Sequence, residues 1–305
     1  MTMFVRVVEA GGFTAAAKAL RAPVSTVSRH IADLEAHLGA KLLIRTTRNM
    51  ALTEVGGAYL ASAKRILEEV DAAESAAAGD FASPKGELVV TAPVMFGRLH
   101  ILPVVAEFLA LNPLIAVRMV FQDRNLHLID DHVDLAVRIG QLPDSGLVAT
   151  RVGTMRQVTC VAPSVLAAHG APRHPADLQA LPSISFDHEG GATGWTYLSP
   201  KGGATINARL LPRLTVSSAD AAVWAAEQGL GVTRVFAYQC HDAVEAGRLR
   251  LVLESFEPEP TPITLLHAQQ GRIPLKLRAF LDFATPRLRA RLQRLAAQPG
   301  EGPDV

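Results

Sequence analysis

Pro23-Val24-Ser25-Thr26-Val27-Ser28-Arg29-His30-Ile31-Ala32-Asp33-Leu34-Glu35-Ala36-His37-Leu38-Gly39 is the stretch on which the reading of this chain turns. Val27, Ile31, Leu34 and Leu38 recur at i, i+4, i+7 and i+11, a single apolar stripe at helical period. At about 100° per residue, Ser25 and Arg29 fall on the opposite side, flanked by Thr26, Ser28, Ala32 and Asp33. A helix that needed only solubility would carry Glu and Lys there. Small residues, hydroxyls and one long basic donor suit a helix that must fit into a groove. Pro23 suits the first helical position, where its missing N–H is not needed, and Gly39 suits a left-handed C-cap.

Upstream, Met3 to Ala10 reads as a short helix stopped by Gly11-Gly12, and Thr14 as the N-cap of a helix from Ala15 to Leu20. Downstream, two short runs, Lys41 to Ile44 and Met50 to Thr53, flank the basic tip Arg45-Thr46-Thr47-Arg48-Asn49. That is the pattern of a β-hairpin wing. Thr53 is then positioned to cap a long helix from Glu54 to Ala78. In it Leu60, Ala63, Leu67, Val70, Glu74 and Ala77 alternate by three and four, a heptad seam suited to pairing with a second copy. Gly79 to Gly86, with Ser83-Pro84 inside, reads as a linker.

Charge follows the same division. Residues 1 to 65 hold nine basic and four acidic side chains, a local net charge of +5 in a chain whose total is +1. Residues 66 to 80 hold five acidic and no basic side chains. A basic head in a near-neutral chain suits a phosphate-facing module. Cys160 and Cys240 are too few for a disulfide framework and fit a reducing compartment as core residues. No run is read as apolar enough for a membrane span, and the N-terminus lacks a signal-peptide pattern, so a cytoplasmic protein is expected.

After the linker, strands and helices alternate. Strands are expected at Glu87 to Thr91, Ile115 to Phe121 and Leu135 to Ile139, with helices at Leu99 to Leu111 and Asn125 to Asp131. A second set follows, with strands at Val158 to Ala162, Ser183 to Phe186, Val232 to Val235 and Thr264 to His267. Its helices are Ala219 to Gln228 and Leu275 to Ala284. The order implies largely parallel sheets in two α/β lobes, with a ligand cleft between them.

The head resembles the LysR-type transcriptional regulators. The resemblance is carried by Gly12-Phe13-Thr14-Ala15-Ala16-Ala17, Ser25-Thr26-Val27-Ser28-Arg29, Leu34-Glu35, Leu38-Gly39, Arg45-Thr46-Thr47-Arg48 and Leu52-Thr53-Glu54-Val55-Gly56. The remainder is similar to that family's periplasmic-binding-protein-like effector domain, with weaker landmarks at Gly86-Glu87-Leu88, Asp134-Leu135-Ala136-Val137-Arg138 and Gly229-Leu230-Gly231. The expected fold class is therefore α/β: a winged helix-turn-helix, a long linker helix and a two-lobed effector domain. The expected domains are 1–58 for DNA binding, 59–85 for linker and dimerisation, 86–290 for the effector domain and 291–305 for a tail. Within the effector domain, lobe I takes about 86–157 and 262–290, and lobe II about 158–261.

Candidate DNA-contacting residues are Ser25, Thr26, Ser28, Arg29, Arg45, Arg48 and Thr53. Arg29 is the natural base reader, since a guanidinium can grip guanine bidentately in the major groove. The wing arginines would take phosphates or the minor groove, and Thr53 would set its helix N-terminus against a phosphate. Candidate effector-contacting residues are Pro93, Val94, Met95, Phe96, Arg138, Ser217 and Ser218. The resemblance implies that two helix N-termini face each other across the cleft, which would favour an anionic effector; Arg138 would supply a counter-charge and Met95 and Phe96 an apolar wall. The resemblance implies partners in double-stranded DNA, a small-molecule effector, a homodimer that pairs further into a homotetramer, and RNA polymerase.

Other classes fit less well. A solute-binding protein explains the cleft but not the head. An enzyme is not expected: there is no G-x-S-x-G elbow and no G-x-x-x-x-G-K-[ST] loop, and Gly229-Leu230-Gly231 lacks the third glycine of a dinucleotide fingerprint. No cofactor is expected. His127, Asp130, Asp131 and His132 hint at a metal site but lack a third ligand of clear spacing.

Overall fold

The computed structural model describes residues 1–45, 50–77, 83–123, 133–142, 146–186, 194–200, 203–210, 212–268 and 273–296. It divides into two compact units, Met1–Gly86 and Glu87–Val305. The wing tip with Arg48, the expected helix Asn125 to Asp131 with its His-Asp cluster, and part of the linker lie outside the described residues.

In the first unit, helices α1 (Thr2–Glu9), α2 (Phe13–Leu20) and α3 (Val24–Leu38) surround a core of Phe4, Val7, Ala16, Val27 and Ile31. Strands β1 (Leu43–Arg45) and β2 (Met50–Leu52) pair antiparallel, and α4 (Glu54–Ala77) follows. Three local expectations are corrected. The N-cap of α2 is Gly12, whose carbonyl accepts the Ala16 amide at 3.0 Å, so the helix begins earlier and Thr14 lies exposed inside the first turn. Pro23 is the N-cap of α3, extended at ψ 142°, rather than its first helical residue. Leu38 ends the apolar stripe but is 40% exposed, since α3 outruns the core in its last turn.

The seam expected along α4 is divided. Leu60, Ala63 and Leu67 join the core of the head itself, beside Tyr59, whose ring meets Phe4 edge-on at 5.4 Å. Lys64 Nζ also lies 3.2 Å from Glu9 of α1. Among the described side chains of α4, Val55, Ile66 and Val70 remain exposed.

The second unit has two lobes. Lobe I contains a five-stranded sheet in the order β4-β3-β5-β14-β6, formed by β3 (Gly86–Ala92), β4 (Ile115–Phe121), β5 (Leu135–Ile139), β6 (Leu147–Met155) and β14 (Thr261–Ala268). β3 and β5 are parallel, but β14 runs antiparallel to β5 and β6, so the sheet is mixed. The helix after β3 comprises α5 (Val94–Phe96), a π-helical turn (Gly97–Ile101) and α6 (Leu102–Leu111). Contrary to the sequence expectation, Val94–Leu111 is long and apolar enough to cross a membrane. Here it is the core helix of lobe I, burying Phe96, Ile101, Val104, Val105 and Phe108. Helix α10 (Leu275–Ala296) covers the same core. The expected tail from residue 291 is also corrected: Leu292 is buried, and Arg291 Nη2 donates to Leu99 O at 2.9 Å, so α10 continues to Ala296.

Lobe II begins at β7 (Gln157–Val161), which is flanked on both sides by antiparallel strands, β12 (Thr233–Phe236) and β13 (Arg250–Val252). Among the described residues, parallel pairing in this lobe is confined to β8 (Ser183–Phe186) with β11 (Pro212–Val216) and a bridge between Ser183 and Val232. A hairpin of β9 (Gly194–Leu198) and β10 (Thr205–Arg209) adds to it, with helices α7 (Pro163–His169), α8 (Ala219–Glu227) and α9 (Ala237–Glu245).

The chain passes between the lobes twice, at Arg156 and between Phe256 and Thr261. Arg156 binds across that junction: Nε and Nη2 donate to the two Glu257 carboxylate oxygens, and Nη2 also to Glu254.

Candidate nucleic-acid interface and ligand site

Helix α3 is held by its buried side, so its outer face is free. Val27 and Ile31 are buried, while Ser25 and Arg29 are exposed and Thr26 and Ser28 half-buried at its margin. One residue that the sequence reading passed over, His30, is exposed beside Arg29, with Nδ1 2.9 Å from Thr26 O. Its position next to Arg29 was the available signal.

The wing is tied to α3 through Glu35. This carboxylate is buried; Oε1 accepts the amides of Leu42 at 2.9 Å and Leu43 at 3.1 Å, and Oε2 takes Lys41 Nζ at 2.7 Å. Burial acts to raise the carboxyl pKa, but the Lys41 ammonium and the two amides together outweigh it and hold the pKa below the ordinary value. Arg45 ends β1, and its side chain and all of Arg48 lie outside the described residues.

Thr53 performs the capping expected of it: its Oγ1 accepts from Gly56 N at 2.8 Å and donates to Lys41 O at 2.7 Å. Its hydroxyl is thus committed within the chain, so any anion contact there falls to the helix N-terminus. Close packing at this corner requires glycine: a Cβ on Gly56 would stand 2.0 Å from Leu42 O.

The expected ligand site is more altered. Val94 is exposed and Met95 and Pro93 are half-buried, but Phe96 is 0% exposed. Its ring packs on His100 at 4.8 Å and Tyr238 of lobe II at 5.5 Å, so it supports the wall from within rather than lining it. The helix N-terminus at Val94 is already provided with an anion. Asp123 Oδ1 accepts from Val94 N at 3.0 Å, and the Tyr238 hydroxyl accepts from the Phe96 backbone. Burial first, then the Asp123 charge, pushes the Tyr238 phenol well above its ordinary value.

Arg138 is buried within the lobe I sheet, opposite Thr264, and burial lowers its pKa from the ordinary guanidinium value. Ser217 is exposed and Ser218 is the N-cap of α8, although its hydroxyl does not cap the helix.

His100 was not anticipated. It is buried in the π-helical turn, with Nδ1 accepting from Arg291 Nε at 3.2 Å and Nε2 buried without a partner among the described residues. Burial, and then the Arg291 charge, lowers its pKa to about 4. A π-turn inside a helix is frequent at functional positions, but no periodicity reveals one in advance.

Comparison with known proteins matches two stretches of the chain to domain models of one family. Residues 1–57 match the model of the bacterial regulatory helix-turn-helix protein, lysR family, and residues 81–289 match that of the LysR substrate binding domain. An HTH-type transcriptional regulator of Xanthomonas campestris pv. campestris (strain 8004) is 35% identical over 97% of this chain and 87% of its own length. The HTH-type transcriptional regulator CrgA of Neisseria meningitidis serogroup B is 33% identical over 94% of this chain and 96% of its own length. The solved structure of CrgA from Neisseria meningitidis superposes with a TM-score of 0.60, covering 94% of this chain and 97% of that one.

Proposed function

The chain belongs to the LysR family of transcriptional regulators, and from that premise we propose how its own residues read DNA and sense a ligand. Its head binds DNA and its second unit carries the family's effector-binding domain. The observation that carries the residue-level reading is the exposed face of α3, where Ser25 and Arg29 stand over a helix anchored by Val27 and Ile31. In this reading Arg29 takes base edges in the major groove, and Ser25, Thr26 and Ser28 take bases or phosphates at close approach. Arg45 and Arg48 flank the groove from the wing, and the α4 N-terminus, fixed by Thr53, faces a phosphate.

The domain plan in this reading is 1–58 for DNA, 59–85 for linkage and pairing, and 86–296 for effector binding. Two copies pair along the face of α4 that keeps Ile66 and Val70 exposed, presenting two recognition helices to a two-fold related site. Further pairing into a tetramer, contact with RNA polymerase and a cytoplasmic location complete the reading. A small, anionic effector binds between the lobes, bordered by Pro93, Val94, Met95, Arg138, Ser217 and Ser218. Its effect on DNA binding can be no larger than its differential affinity for the lobe arrangements.

The test is a DNA titration of wild type and Arg29→Ala on the chain's own promoter region at two salt concentrations, followed by footprinting. Sequence preference present in wild type and lost in Arg29→Ala supports the assignment; equal preference in both overturns it.

A further inference from the structure

Lobe II holds a buried cation that the described residues leave short of partners. Arg234 stands on β12 opposite Thr159 of β7 and is 8% exposed. Its Nη2 donates to Gln157 Oε1 at 2.8 Å, and its guanidinium lies 4.8 Å from the Tyr197 ring centroid. Nε is buried with no hydrogen-bond partner. Among the described residues, no carboxylate forms an ion pair with this group. Glu257 acts on it through charge alone, with both oxygens accepting from Arg156.

Ser183 on β8 is in the same condition. It is 1% exposed and its Oγ has no partner among the described residues. Ser183 pairs with Val232 in a parallel bridge. Val232 and Arg234 are two residues apart, so strand alternation sets Ser183 and Arg234 on one face. Thr159 shares that face, with its hydroxyl 2.7 Å from the Tyr197 hydroxyl.

Burying a guanidinium without a counter-ion is costly, and each unmet donor adds a desolvation penalty. Both costs are removed by one ligand that is anionic and accepts two hydrogen bonds. A carboxylate matches the planar guanidinium fork.

We propose that Arg234 and Ser183 form a carboxylate-binding subsite in lobe II, Arg234 Nε and the Ser183 hydroxyl donating to the ligand oxygens. The subsite rests on the reading of residues 86–296 as an effector domain. It moves the anchor of an acidic effector from the helix end at Val94, where Asp123 already accepts the amide, to the sheet of lobe II.

The experiment is calorimetric titration of the full-length protein with sodium acetate, sodium benzoate, uncharged benzamide and sodium phosphate. Wild type, Arg234→Gln, Arg234→Lys and Ser183→Ala are compared, each checked for a wild-type melting temperature and for ligand-free DNA binding. The expected result is binding of acetate or benzoate but not benzamide, weakened about tenfold or more in Arg234→Gln and partly restored in Arg234→Lys. Equal carboxylate affinity in Arg234→Gln overturns the subsite, as does the absence of carboxylate binding by wild type at millimolar concentrations. Binding of phosphate alone overturns the carboxylate class. A large drop in melting temperature in Arg234→Gln, with carboxylate binding unchanged, assigns the guanidinium a partner within the chain and also overturns it. DNA binding that persists in wild type separates any of these failures from a failure of the regulator reading.

Discussion

Arg156 grips Glu257 with two hydrogen bonds of 2.8 Å, and the two residues stand on the two passages by which the chain moves between its lobes. The carboxylate raises the guanidinium pKa against the opposing effect of burial, as expected of a pair partly withdrawn from solvent. Arg156→Ala should cost about 1 kcal/mol after allowance for solvent screening. It should also loosen the lobes more than it unfolds them. Hydrogen exchange at Gln157 and Thr261 should quicken while the lobe I core keeps its protection; unchanged exchange at both crossings would argue against a clamp.

Glu35 makes the head sensitive to acid. Its folded-state pKa is depressed, so its contribution to stability is fully present above the ordinary value of 4.5 and is lost as pH falls through the folded value. Glu35→Ala leaves the Leu42 and Leu43 amides without their acceptor, at about 1–3 kcal/mol. Denaturant unfolding of the isoelectronic Glu35→Gln variant should show the acid-induced loss reduced relative to wild type. A parallel pH dependence in both proteins would place the sensitivity elsewhere.

Gly56→Ala should be poorly tolerated. The added methyl meets the Leu42 carbonyl oxygen, which is backbone and cannot rotate aside. Overpacking of this kind costs about 1–3 kcal/mol. The damage should fall jointly on the wing and on the start of α4, and thermal melting of wild type and variant measures it. A melting temperature equal to wild type would mean the corner can open.

His100 should remain neutral well below the pH at which an exposed histidine takes its proton. Its folded pKa is lowered to about 4 from 6.5, so lobe I loses stability as pH falls from 6.5 towards 4. His100→Leu should flatten the pH dependence of melting over that interval and should also remove the buried, unpartnered Nε2. A dependence as steep as wild type would assign the titration to another group.

The base-reading assignment has a signature in salt. Arg29→Ala should lose about 1–3 kcal/mol of discrimination at one base pair. A phosphate contact, in contrast, weakens all sequences alike and reduces the salt slope by about one. Selection of binding sites at two ionic strengths distinguishes them, and a uniform loss would return Arg29 to the phosphate contacts.

The head was legible because its information is local. Helix α3 declares its buried side through Val27 and Ile31 and its exposed side through Ser25 and Arg29, all within two turns. Leu38 misled because periodicity does not show where a neighbour ends. Lobe II was harder to read. Strands such as β9, β10 and β13 are three to five residues long and are stabilised by partners distant in sequence, so neither length nor alternation announces them. The surroundings of the expected ligand site were hard to read for the same reason. Asp123 reaches Val94 from 29 residues away, and the resulting loss of a helix-end anion site could not be read from Pro93 to Gly97 alone.

Because Leu60, Ala63 and Leu67 are sunk into the head, the rotational phase of α4 is locked to that of α3. In a paired assembly this makes the helix a ruler as well as a tether. One residue inserted after Leu67 would turn everything beyond it by about 100° and advance it by about 1.5 Å. The proposed pairing face, with Val70, would then no longer align with the heads. The spacing of the two DNA half-sites would thus be written into the residue count of α4, a property that every single-residue substitution leaves intact and one insertion erases.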